Sequence, residues 1–263
     1  NSTNTSGHAM LTIDGATLDN YNDTPGSTHF FVGCGAAHYQ NGGEWQVDPT
    51  LRLINGAVLK LDTLKTGHGY WGYYKTHPTI AMTNSVIWSV YPHLTTLDSP
   101  VSYPRWYTKN SRVLAHPVAG RLINVHGAID AVFDSTYIGA GKISTLEPDE
   151  LRMPMGNNDW SYNSPTGRVA FVNGSTVRVS DFVNYAKIER HFVYIWDDSE
   201  WDYGGGDHVF AKDKFHAEKF EFVMKGRGLI LKPAAGSTFT VEFPFTGEGG
   251  FVNAGEGTVK FAS

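Results

Sequence analysis

The sequence predicts an all-β fold, an antiparallel β-sandwich or jelly-roll-like arrangement with short hairpins, long aromatic loops and little helix. Three observations predict it. The chain of 263 residues carries 29 glycines and 13% aromatic residues but only 18% charged residues, a composition suited to many strands joined by tight turns. Asp-Gly or Asn-Gly recurs between alternating apolar residues at 11–18 (LTIDGATL), 51–61 (LRLINGAVLKL) and 169–179 (VAFVNGSTVRV). That is a strong short-range hairpin signal, because a type I′ turn needs positive φ at both central residues. Looser relatives stand at 80–90 and 122–132. The alternative is a β-solenoid, with Asn and Gly marking bends between short parallel strands. The irregular spacing of the copies favours hairpins, since solenoid rungs call for a steadier period.

The chain opens on NSTNTSGHAM, which reads as a polar lead-in or the edge of a longer chain. Residues 11–263 then form a single β-rich domain, with a division into two lobes expected near 145–167. That stretch holds Pro148, Pro154 and Pro165 with Asn157, Asn158 and Asp159. Aromatic loops are expected at 67–74 (GHGYWGYY) and 102–107 (SYPRWY). Helix signals are few: one turn at 148–152 with Pro at its first position, and a short helix at 180–190 capped by Ser180 or Asp181. The last third reads as strands at 219–224, 228–232, 237–243 and 258–262, with Gly-rich turns at 247–250 and 255–257.

The chemistry concentrates in 191–208 (HFVYIWDDSEWDYGGGDH). A strand rich in β formers enters it, and Gly204 to Gly206 turn the chain sharply. The expected product is an exposed loop of rings and carboxylates. Candidate ligand-binding residues are Tyr70, Trp71, Tyr73, Trp106, Trp196, Trp201 and Tyr203, because flat rings with polar tips suit the apolar faces and hydroxyls of sugars. Asp198, Glu200 and Asp202 alternate like the opening of a calcium loop. The sixth and twelfth loop positions, Tyr203 and Val209, do not fit an EF-hand. The acids are therefore read as a solvated acidic turn and no cofactor is expected, Ca²⁺ being the one alternative. The same three acids with His208 are the candidate catalytic groups, since glycoside cleavage needs two carboxyls several ångströms apart.

Other classes are disfavoured. The net charge is −5 with Lys and Arg scattered, so no nucleic-acid partner is expected. No apolar run is long enough for a spanning helix, so no membrane insertion is expected. Eleven histidines form no His-x-His pair. Cys34, the single cysteine, cannot make an internal disulfide and reads as a small buried residue. Sequons at Asn1, Asn4, Asn22 and Asn173 matter only in a eukaryotic secretory route.

With its Asn-Gly turns, Gly and aromatic richness, sparse helix, lone cysteine and the strand pair at 228–243 (GLILKPAAGSTFTVEF), the chain resembles bacteriophage tailspike or tail-fibre receptor-binding proteins. The resemblance implies a β-rich homotrimer, on a virion or outside cells, that binds bacterial surface polysaccharide. It brings no catalytic residue with it. The alternatives are an extracellular polysaccharide-degrading hydrolase or lyase and a structural virion component.

Overall fold

The computed structural model describes residues 6–20, 29–35, 45–69, 74–76, 78–92, 105–115, 130–140, 152–155, 167–184, 192–211 and 220–262. Its strands wind in successive coils. β1 (Ser6–Gly7), β2 (Met10–Asp14), β3 (Thr17–Asn20) and β4 (His29–Gly35) belong to the first. β5 (Trp45–Val47), β6 (Thr50–Ile54) and β7 (Val58–Gly69) make the second, and β8 (Tyr74–Thr76), β9 (Thr79–Thr83) and β10 (Val86–Pro92) the third. The fourth and fifth hold β11 (Arg105–Lys109) with β12 (Arg112–Ala115), and β13 (Asp130–Asp134) with β14 (Tyr137–Ala140). β15 (Arg152–Met155), β16 (Gly167–Val172) and β17 (Thr176–Arg178) form the sixth; β18 (Asp181–Asn184) and β19 (Phe192–Asp202) form the seventh. β20 (His208–Phe210) and β21 (Phe220–Leu231) follow, then β22 (Thr238–Val241), β23 (Phe245–Gly247) and β24 (Phe251–Asn253), and β25 (Thr258–Phe261) closes the series.

Every strand pairing among the described residues is parallel, and seventeen strands join in one sheet. This overturns the antiparallel sandwich or jelly-roll: the fold is an all-β, solenoid-like stack. One ladder runs from β2 through β6, β9, β11, β13, β16, β19 and β21 to β23. A second runs from β3 through β7, β10, β12, β14, β17 and the far half of β19 to β21 and β24. Register steps range from 20 residues (Thr238 to Thr258) to 41 (Thr17 to Val58). The uneven period that spoke against a solenoid reflects excursions of different length between strands that still stack in register.

The hairpin signals are correct locally and wrong in what they join. At Asn55-Gly56 φ is 56° and 82°, at Asn173-Gly174 it is 55° and 80°, and Ala57 N and Ser175 N donate back to Ile54 O and Val172 O. These are the contacts of a tight turn with positive φ. Yet Leu53 pairs with Ile13 and Met82, not with the strand after its own turn. The turn is a corner between the two ladders. Asn84, Asn110, Ser135 and Asp198 make the same corner with one left-handed residue each, φ 50, 48, 50 and 51°. The loose copy read at 122–132 lies, up to residue 129, outside the described residues; the corner that follows is Asp134-Ser135-Thr136. The helix expected at 180–190 begins instead as the strand Asp181–Asn184, with Phe182 fully buried.

Period-two alternation puts one set of residues inside. One inner column reads Leu51, Ile80, Trp106, Ala131, Val169, Tyr194 and Phe222. Its neighbour reads Leu53, Met82, Thr108, Phe133, Phe171, Trp196 and Met224, and all of these are buried. Each large apolar side chain so sealed contributes roughly 1.5–3 kcal/mol. Just past the corners comes a column of small groups, Ala57, Ser85, Ser111, Thr136, Ser175 and Ser199, all buried. Its hydroxyls serve the main chain that the bend leaves exposed to the interior. Thr136 N donates to Ser175 Oγ at 3.0 Å, and Ser175 Oγ lies 2.7 Å from Phe133 O. Ser111 Oγ donates to Lys109 O at 2.7 Å and Ser199 Oγ to Asp197 O at 3.0 Å.

Candidate functional site

The stretch 192–202 is one more rung, and this decides where its rings lie. Tyr194 and Trp196 face inward before the Asp198 corner, and Ser199, Trp201 and Tyr203 face inward after it. Trp196 packs 4.6 Å from the Phe171 ring, and Trp201 4.8 Å from Phe182. The Trp201 indole N–H donates to Val179 O at 2.8 Å. Trp106 sits at 0% exposure between Ile80 and Ala131. The exposed ring-bearing loop expected of Trp106, Trp196, Trp201 and Tyr203 is therefore corrected: alternation along stacked strands turns these rings into core. Tyr70, Trp71 and Tyr73 lie outside the described residues.

Asp198, Glu200 and Asp202 of the same rung point outward, and each of the three meets a cation from a neighbouring coil. Asp198 pairs with Arg227 at 2.6 Å, Glu200 with Lys232 at 2.6 Å, and Asp202 with Arg178 at 3.7 Å. Asp202 also accepts from Gly204 N at 3.2 Å, and Asp207 accepts from Thr238 N at 2.7 Å. The three carboxylates thus diverge toward different partners. Among the described residues no three His, Cys, Asp or Glu side chains gather as a metal-holding group.

His208 is drawn inward. Its Nε2 lies 3.6 Å from Asp181 Oδ1, and its ring stacks 5.0 Å from Phe239 and meets Trp201 edge-on at 5.2 Å. Tyr203 packs beside it at 5.4 Å. Burial, with Asp207 and Asp202 adding repulsion, pushes the Tyr203 phenol up to about 12. The Tyr203 hydroxyl and His208 Nε2 are both sealed from solvent, so neither can reach a polymer lying on the outside.

Sequence reasoning missed the outward side of the second ladder. Val86, Arg112, Tyr137, Thr176 and Glu200 occupy one outward column; Trp88 stands in the next beside buried Leu114 and Gly139, and Arg178 pairs in register with Asp202. Trp88, Arg112, Tyr137 and Arg178 are half-buried. The Arg112 guanidinium carbon stands 5.2 Å over the centre of the Tyr137 ring, a cation–π contact. A Cβ on Gly139 would lie 2.8 Å from Arg178 Cβ and 3.1 Å from the Tyr137 oxygen. Only glycine leaves room there for Arg178 and the phenol to approach. Burial raises the Tyr137 pKa, and Asp202 adds to the rise while Arg178 and Arg112 oppose it. The signal for this site was the period-two spacing of Arg112, Tyr137 and Arg178 past successive corners, visible only once the corners are aligned.

A cleft of about 580 Å³ opens at the last coil, lined by Val241, Glu242, Phe243, Pro244, Phe245, Phe251, Phe261 and Ala262. Its walls are largely aromatic and carry one ionisable group. Compared with protein-family models, with curated proteins and with solved structures, the chain matches none.

Proposed function

We propose that the chain is a bacteriophage adhesin that binds bacterial surface polysaccharide along the side of its coil stack, on a virion or outside cells. One observation carries the reading: outward side chains of successive coils stand in register at a fixed rise. Parallel strands repeat about every 4.8 Å, so a polymer of repeating sugars meets repeating groups. Half-exposed Tyr107 and Tyr137 supply flat rings on that outer surface, and rings of this kind stack on sugars. The resemblance to tailspike and tail-fibre proteins points the same way and suggests a homotrimer. The outward apolar column Val132, Ala170, Ile195 and Val223 suits side-by-side packing of such subunits.

The test is an array of purified bacterial surface polysaccharides together with whole host cells. Saturable binding to at least one glycan is expected, without new reducing ends or unsaturated sugar. Absence of binding to every glycan and cell, with particle assembly intact, would leave a structural virion component instead. Turnover abolished by Asp198→Ala with Glu200→Ala would make the chain a polysaccharide-degrading enzyme. Light scattering of the purified chain reads the oligomer, and a mass of three subunits is expected.

A further inference from the structure

We propose that Arg112, Tyr137 and Arg178 form a subsite for an anionic sugar unit, a carboxylate or sulfate carried on the glycan. The proposal rests on the adhesin reading and names the chemistry of its ligand. Two guanidiniums converge on one phenol from adjacent coils, Arg112 over its ring and Arg178 beside Gly139. The Asp202 carboxylate stands with them, 3.7 Å from Arg178 Nε. Among the described residues Arg112 has the Tyr137 ring as its partner and no carboxylate. Arg112 therefore brings the cluster a positive charge that no carboxylate among the described residues offsets, on a chain whose net charge is −5.

Its surroundings suit a sugar. Half-buried Trp88 heads the neighbouring column, an apolar surface beside the charges, while Leu114 and Gly139 at the matching register positions are buried. A pyranose carrying an acid presents the same pair of surfaces, an apolar face and a charged edge. Guanidinium donors hold carboxylates and sulfates through two parallel hydrogen bonds. Four cations elsewhere on the surface are neutralised by direct contact. Lys60, Arg168, Arg227 and Lys232 each stand within 3.1 Å of a carboxylate oxygen, on Asp19, Asp130, Asp198 and Glu200.

The test measures binding of the full chain to polygalacturonate, dextran sulfate and neutral dextran, beside the bacterial polysaccharide array. Arg112→Gln and Arg178→Gln are compared with Arg168→Gln, which removes the same charge from the other ladder. Expected is binding to polygalacturonate or dextran sulfate, with the preferred polymer distinguishing carboxylate from sulfate. The two subsite variants should lose about tenfold in affinity, the scale of a charge-assisted contact, while Arg168→Gln keeps it. Arg112→Lys, which retains charge but not the planar fork, should fall between. Circular dichroism and melting of each variant are read alongside, since both arginines are on the outside. Equal loss in all three Gln variants would mean diffuse polyanion attraction and overturn the subsite. Binding to neutral glycans alone would overturn it and leave the adhesin reading standing. Absence of any glycan binding would bring down the adhesin reading itself.

Discussion

Tyr203 shows how a single residue inherits its chemistry from the coil it sits in. Its ring is 7% exposed, 4.8 Å from Phe239, with its hydroxyl sealed, and its pKa is pushed up to about 12 from 10.0 by burial and then by Asp207 and Asp202. Below pH 10 the folded and unfolded chains both keep the phenol proton, so its titration leaves stability unchanged. Between pH 10 and 12 the unfolded chain ionises and the folded one does not. Unfolding then releases a proton, and stability falls as pH rises. Urea midpoints should drop across that window for the native chain. Tyr203→Phe should flatten part of the slope while Tyr194, fully buried and raised well above 10, keeps much of the remainder with Tyr137 and Tyr107, which burial also raises. An unchanged slope in the variant would show that Tyr203 ionises as freely in the folded chain as in the unfolded one.

At the scale of the element, the corner is the unit that makes the fold. A left-handed residue turns the chain from one ladder into the next, and the main-chain bonds of adjacent coils continue through the bend. Asn84 N donates to Lys109 O, Asn110 N to Asp134 O and Asn173 N to Asp197 O. Asn tolerates positive φ better than other non-glycine residues, and β-branched residues tolerate it badly. Asn110→Val should therefore cost about 1–2 kcal/mol, while Asn110→Gly should stay within a few tenths of the native chain, read from denaturant midpoints at constant m. Equal effects of Val and Gly would mean that the lost Asn side chain, not φ, matters there. The eighth coil departs from the pattern. Asp198 alone opposes Gly226, Arg227 and Gly228, and a Cβ on Gly228 would fall on the Gly250 main chain of the next coil. Glycine there permits close stacking across a widened corner.

For the whole molecule, each coil packs chiefly on its neighbours, so stability approximates a sum of coil and interface terms. The middle coils carry continuous aromatic packing, from Phe133 to Phe171 at 5.6 Å, on to Trp196 at 4.6 Å, and from Tyr194 to Phe222 at 5.7 Å. The first coil is poorly covered: Met10, Leu11 and Leu18 are 68, 47 and 38% exposed. Amide hydrogen exchange should be slowest in 131–133, 169–172 and 194–201 and much faster in 10–20, because local opening follows buried contact. Uniform protection from end to end would mean that the ends are held by something other than their own packing.

The sequence by itself determined the all-β character, the corners at Asn55-Gly56 and Asn173-Gly174 and most of the inward alternation. Asn55-Gly56 and Asn173-Gly174 announce positive φ whatever strands they join, and Leu51, Leu53, Val169 and Phe171 alternate as half-buried strands must. Only the tertiary structure decided that these strands run parallel and that Trp106, Trp196 and Trp201 belong to the core. It alone brought Arg112, Tyr137 and Arg178 to one patch. The physical reason is range. A turn's dihedrals are set by two adjacent residues, whereas the partner of each paired strand lies 20 to 41 residues away in the register. Excursions of unequal length between coils hide that distance from any reading of local period.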